Sequence, residues 1–83
     1  MKRNIVRCEH SGRVHRCPSD TCSPVGRVQI YQKYSSDCYQ TGQPSADGQT
    51  FSQKWYRIYL PNKAKGFVNS FFCEGVKIPR CKR

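Results

Sequence analysis

Six cysteines and two histidines are the residues of this 83-residue chain whose types and spacing could do chemistry. Five of them, Cys8, His10, His15, Cys17 and Cys22, lie close together near the start. Thiolate sulfur and imidazole nitrogen are the donors that zinc prefers, so a tetrahedral Cys/His site has to be weighed. The spacing argues against it. Cys8-x-His10 and His15-x-Cys17 are tighter than the usual zinc knuckle, and no Cys-x-x-Cys occurs. The other chemistry open to these residues is disulfide formation, which an even cysteine count in a short chain favours, together with an oxidising compartment. Cys17 and Cys22 flank Pro-Ser-Asp-Thr, a loop one bridge could close, and Cys73 and Cys81 flank a second local loop. That choice leaves Cys8 to meet Cys38, and it is one of many pairings that six cysteines allow. The reading taken is three disulfides, no metal and no cofactor.

Catalysis needs convergent groups: a nucleophile with its base, or paired carboxylates. The five acids, Glu9, Asp20, Asp37, Asp47 and Glu74, are scattered, and bridged cysteines supply no nucleophile. Gly-x-Ser-x-Gly, His-Glu-x-x-His and a phosphate-cradling glycine loop are all missing. His15 and Asp20 are the nearest thing to a dyad, and across a turn such a pair is usually a surface accident. The chain is expected not to be an enzyme.

The remaining chemistry is binding. Formal net charge is +10, from 15 basic and 5 acidic residues. Such an excess predicts attraction to anionic polymers and glycans rather than a particular fold. Part of the excess (Lys2, Arg3, Arg7, Lys77, Arg80, Lys82 and Arg83) sits near the ends, where charge is often merely solvated. Aromatic residues accompany the charge. In a strand, side chains alternate between faces, so Trp55, Arg57 and Tyr59 share one face while Tyr56, Ile58 and Leu60 share the other. Ile58 and Leu60 are core types, which turns Trp55, Arg57 and Tyr59 outward. Tyr31 and Tyr34 on a neighbouring strand, with Lys63 and Lys65 near the next turn, extend this set into an aromatic and basic platform. Aromatic faces stack on sugars and bases, and cations meet phosphate or carboxylate. The competing structural reading is that Trp55 packs on the rim of the fold beneath the polar stretch Gly42–Lys54, since Trp is highly buried on average.

The elements that must position these residues are short. No long window keeps a helical apolar period without Gly, Pro or Cys interrupting it. Five runs read as strands bounded by turn residues: Gly-Arg-Val-His-Arg-Cys, Val-Gly-Arg-Val-Gln-Ile-Tyr-Gln-Lys-Tyr, a short Cys38–Tyr39 segment, Lys-Trp-Tyr-Arg-Ile-Tyr-Leu and Lys-Gly-Phe-Val-Asn-Ser-Phe-Phe. In the second run Val28 and Ile30 share a face opposite Tyr31. Pro61 to Gly66 reads as a hairpin connection in which Pro61 pre-sets the turn, Asn62 tolerates positive φ and Gly66 restarts the strand. Short strands with frequent turns argue for an all-β sandwich or barrel. The length allows one domain, residues 1–83, and a chain this small has too thin a core to do without its cross-links.

The stretches "VHRCPSDTCSPVGRV" and "WYRIYLPNKAKGFVNSFF" together resemble a bacterial Src-homology-three-like domain, in a cysteine-bearing secreted variant. The matching positions are Val14 and Arg16, Pro18 and Ser19, and Val25, Gly26 and Val28. They continue with Trp55, Tyr56, Arg57 and Ile58, then Gly66, Phe67 and Val68, with Phe71 or Phe72 closing. Cys17 departs from the Gly or Ser usual before the proline. The resemblance implies an all-β fold, a small and mostly antiparallel β-barrel of five to seven short strands. Its core would span about residues 14–72, with basic, cysteine-bearing extensions at both ends. Members of this family are commonly targeting modules of wall hydrolases.

No apolar run approaches the ~18 residues of a transmembrane segment. "MKRNIVRCEH" shows no signal-peptide core, and the reading taken is a mature, exported chain given a start Met. The expected function is a secreted, cationic, monomeric protein that binds anionic microbial cell-envelope polymer or glycan, with antimicrobial or antifungal action. The alternative is a secreted module that binds a protein partner, as inhibitor or effector. Nucleic acid ranks last, for lack of a recognised motif.

Overall fold

A computed structural model of the chain describes residues 4–19, 21–43 and 53–82. Most of the polar stretch Gly42–Lys54 lies outside the described residues, as do Asp20, Asp47, Lys2, Arg3 and Arg83. Seven strands are present: β1 Asn4–Cys8, β2 Gly12–His15, β3 Pro24–Val28, β4 Lys33–Thr41, β5 Lys54–Tyr59, β6 Lys65–Asn69 and β7 Cys73–Gly75. They form one sheet in the order β3-β2-β6-β5-β4-β1-β7, and every neighbouring pair is antiparallel. The all-β, mostly antiparallel architecture agrees with the strand reading.

Alternation explains the core. In β1, Val6 and Cys8 are fully buried while Ile5 and Arg7 face solvent. In β5, Tyr56 and Ile58 turn inward, followed by Leu60, as the alternation argument required. Val14, Val28, Val68 and Ile78 complete the main cluster. β2 and β6 meet at one registered pair, His15 opposite Phe67. A Cβ on Gly66 would stand 2.7 Å from the His15 carbonyl oxygen, so only glycine permits this approach.

Four expectations are corrected. The sheet is not closed into a barrel: β3 and β7 stand at opposite ends of the strand order. Both edges have features that oppose further pairing. β3 begins at Pro24 and carries exposed Arg27, and β7 is only three residues long. The terminal regions are not appendages to a core of residues 14–72, because β1 lies between β4 and β7 and the core extends from Val6 to Ile78. The run from Val25 to Tyr34 is two strands, split by a turn at Gln29–Gln32 in which Tyr31 takes a φ of 66°. Ile30 consequently lies in a turn and is exposed.

The fourth correction concerns the disulfides. Cys17–Cys22 forms as expected, but the others are Cys8–Cys73 and Cys38–Cys81. Cys73 opens β7 directly opposite Cys8 of β1. The C-terminal segment runs beside Tyr39, whose N–H donates to Pro79 O at 2.9 Å and whose carbonyl accepts from Cys81 N–H at 2.7 Å. That contact delivers Cys81 to Cys38, one residue away from Tyr39. Strand pairing over long separations, rather than local loop size, sets the connectivity.

Candidate binding surface

β5 presents Arg57 and Tyr59 on its outer face. What lies across from them is a bulge. The β4–β5 register runs Ser36 opposite Ile58 and then Cys38 opposite Arg57, so Asp37 is the extra residue. Arg57 Nε donates to Asp37 Oδ1 at 3.0 Å and Nη2 to Oδ2 at 2.7 Å, and the Tyr59 hydroxyl donates to Oδ2 at 2.9 Å. The guanidinium hydrogen bonds outweigh partial burial and hold the Asp37 carboxyl below its ordinary 3.8. The same pairing raises Arg57 above its usual value. The two platform residues are therefore engaged with a carboxylate that the sequence reading left among the scattered acids.

The pH consequence has a definite sign. A carboxyl whose folded pKa is depressed adds stability that is complete above the unfolded value and is lost as pH falls through the folded one. Stability contributed by Asp37 should fade as pH drops from near 3.8 through the depressed folded value. Both side chains of the pair are 33% exposed, so screening limits the effect to about 1 kcal/mol or less. Urea midpoints of wild type and Asp37→Asn should differ at pH 6 and converge toward pH 2. A difference that persists at pH 2 would show that charge is not its cause.

Trp55 is placed otherwise. It is 1% exposed, and its indole N–H donates to Gln43 O at 2.7 Å. His15 meets the ring edge-on with centroids 6.1 Å apart. His15 Nδ1 lies 2.9 Å from Cys22 O, and because a carbonyl only accepts, Nδ1 carries the proton. Gln43 N–H in turn donates to Pro18 O at 3.0 Å. The indole sits among groups tied to the Cys17–Cys22 loop and to the start of the polar stretch, so the rim-packing alternative describes it and the platform does not. Tyr34 is also withdrawn: it is buried in the main core, and its hydroxyl accepts from Gln29 N–H at 2.8 Å.

The other expected residues are exposed. Tyr31 projects from its turn, with the Arg7 guanidinium 5.9 Å from the ring centroid. Lys65 stands opposite Tyr59 in the β5–β6 register. Lys63 lies in the connecting turn with a φ of 71°, so the positive φ falls on Lys63 and not on Asn62, which tolerates it. Asn62 instead accepts from Ala64 N–H at 3.0 Å through Oδ1. The structure thus groups Arg57, Tyr59, Lys65 and the Lys63 turn at the β5–β6 hairpin and sets Tyr31 across β4 from them.

No pocket is formed among the described residues. All six cysteines are bridged, which removes Cys8, Cys17 and Cys22 as thiolate ligands, and His10 stacks on Phe71 at 5.0 Å. Every described lysine and arginine except Arg57 is solvent-exposed. Glu9 and Asp37, by contrast, are ion-paired with Arg7 and Arg57. The chain matches no family model, no curated protein and no solved structure.

Proposed function

We propose that this protein is a secreted, cationic, non-enzymatic binding protein for anionic microbial cell-envelope polymer, with antimicrobial or antifungal action following from that binding. The observation that carries the reading is the uneven state of the charges. Cations are displayed on the surface, while two of the few carboxylates are already neutralised in pairs. A polymer with repeated charge suits a surface without a pocket, and three disulfides suit an oxidising exterior. No helix among the described residues is long and apolar enough to cross a membrane. The resemblance of the sequence to bacterial Src-homology-three-like domains supports a wall-binding role; of its matching positions, Trp55 to Ile58 lie in β5 and Gly66 to Val68 in β6, while Arg16 falls beyond the end of β2.

Co-sedimentation of the oxidised protein with bacterial cell wall and with chitin tests the reading. Retention on cell wall at low salt is expected to fall steeply at about 0.5 M salt, where the Debye length is about 4 Å. Failure to sediment with either polymer at low salt would overturn it. A second reading, binding of a protein partner, is favoured by one observation. Ile5 and Val76, 48% and 74% exposed, flank the Val6–Gly75 pair of the β1–β7 ladder. Such a partner would be retained at high salt and be released by Val76→Asp.

A further inference from the structure

We infer that Arg13 and Arg27 form a two-guanidinium site for the phosphate groups of a phosphate-bearing envelope polymer. Only the polymer rests on the function proposed above; the phosphate site rests on the hairpin. In the β2–β3 ladder, Arg13 stands directly opposite Arg27. The flanking pairs point to the other face: Val28 opposite Gly12 and Val14 opposite Gly26, with Val14 and Val28 fully buried. A Cβ on Gly12 would press on the Phe72 ring at 2.8 Å, which confirms that face as the packed one. Arg13 and Arg27 are both exposed, and they leave the outer face from Cβ atoms about 5 Å apart.

Like charges directly opposite in a sheet are destabilising. Elsewhere the chain compensates such a contact: Arg7 stands opposite Lys33, but it also faces Glu74 across β7 and pairs with Glu9 at 3.4 Å. Arg13 and Arg27 have no ion pair among the described residues. Edge protection explains a charge on β3, an outermost strand, but not the second on β2, which is interior to the sheet order. Two planar guanidinium forks at this separation can bracket one tetrahedral oxyanion with paired hydrogen bonds, and the anion cancels the repulsion. The site is also held ready. The connection between the strands is clamped by Cys17–Cys22 and by the Arg16 N–H to Ser23 O hydrogen bond of 2.9 Å.

The test uses the full oxidised chain. Inorganic phosphate is titrated against matched chloride while the arginine Nε–Hε signals are followed by NMR. Saturable shifts of Arg13 and Arg27 with phosphate, beyond those with chloride, are expected. Arg13→Gln should weaken that response, and retention on phosphate-bearing cell wall, by about tenfold. The same substitution should raise the melting temperature in anion-free buffer by about 2–4 °C, since it removes the repulsion. Lys63→Gln with Lys65→Gln should leave the phosphate titration unchanged. Equal responses to phosphate and chloride would overturn the site, as would a titration that survives both Arg13→Gln and Arg27→Gln. Self-association of Arg27→Gln with phosphate binding intact would assign the charge to edge protection and also overturn it. Wall from which the phosphate polymer has been extracted separates the two claims. Phosphate shifts without wall binding retain the site and sink the polymer reading. Wall binding unaffected by either arginine substitution does the reverse.

Discussion

Replacing Cys8 and Cys73 together with alanine is expected to leave the protein unfolded at 37 °C. This bridge spans 65 residues, the longest of the three separations. In the chain-entropy account, its closure removes about 4 kcal/mol of freedom from the unfolded state, against about 2 kcal/mol for the short Cys17–Cys22 loop. A domain of this size rarely has more than about 5 kcal/mol in all. Both partners are also core residues, at 0% and 1% exposure, so the change leaves space inside as well. The bridge pins three-residue β7 to β1, its only strand neighbour among the described residues. Circular dichroism melts of oxidised variants would read the order: loss of the cooperative transition without Cys8–Cys73, and a weakened but cooperative one without Cys17–Cys22. Equal losses from the two would refute the entropic ranking.

Trp55→Ala is expected to cost about 3–5 kcal/mol, the range for removing a large buried aromatic side chain. It would also deprive the Gln43 carbonyl of its donor and His15 of its ring partner. Loss of polymer binding in that variant would therefore report a damaged fold and not a lost contact. Fluorescence checks the premise without any substitution, because Trp55 is the only tryptophan. A blue-shifted emission poorly quenched by iodide is expected, while a red-shifted, readily quenched emission would place the indole in solvent and restore it to the binding surface. Lys63, Lys65, Arg13 and Arg27 are better probes, since their side chains start from exposed positions.

Parts of this arrangement were legible in the sequence. Lys-Trp-Tyr-Arg-Ile-Tyr and Lys-Gly-Phe-Val-Asn have the β-rich composition and turn boundaries of strands, and they are β5 and β6. The inward parity of Tyr56 and Ile58 followed from alternation together with the core character of Ile58 and Leu60. β1 was not legible, because Ile5 and Val6 are only two apolar residues among charged ones, and what makes them a strand is β4 and β7, far along the chain. The turn at Gln29–Gln32 contains no Gly, Pro, Asn or Asp to announce it. Trp55 has the outward parity assigned to it, yet groups from a distant loop cover it, and parity does not foresee cover. The Asp37 bulge has no sequence signature, so the carboxylate that occupies Arg57 and Tyr59 could not be placed beside them. Arg13 and Arg27 were likewise read as separate charges, since only the register makes them a pair.

The position of the Cys8–Cys73 bridge has one further consequence. A peptide bond cut once anywhere between residues 8 and 73 yields two pieces that remain covalently joined, with β1 and β7 still held side by side. The nicked chain gains only the water of hydrolysis, and the association of its halves stays an intramolecular event at high effective concentration. Durability of this kind depends on connectivity rather than on resisting the first cut.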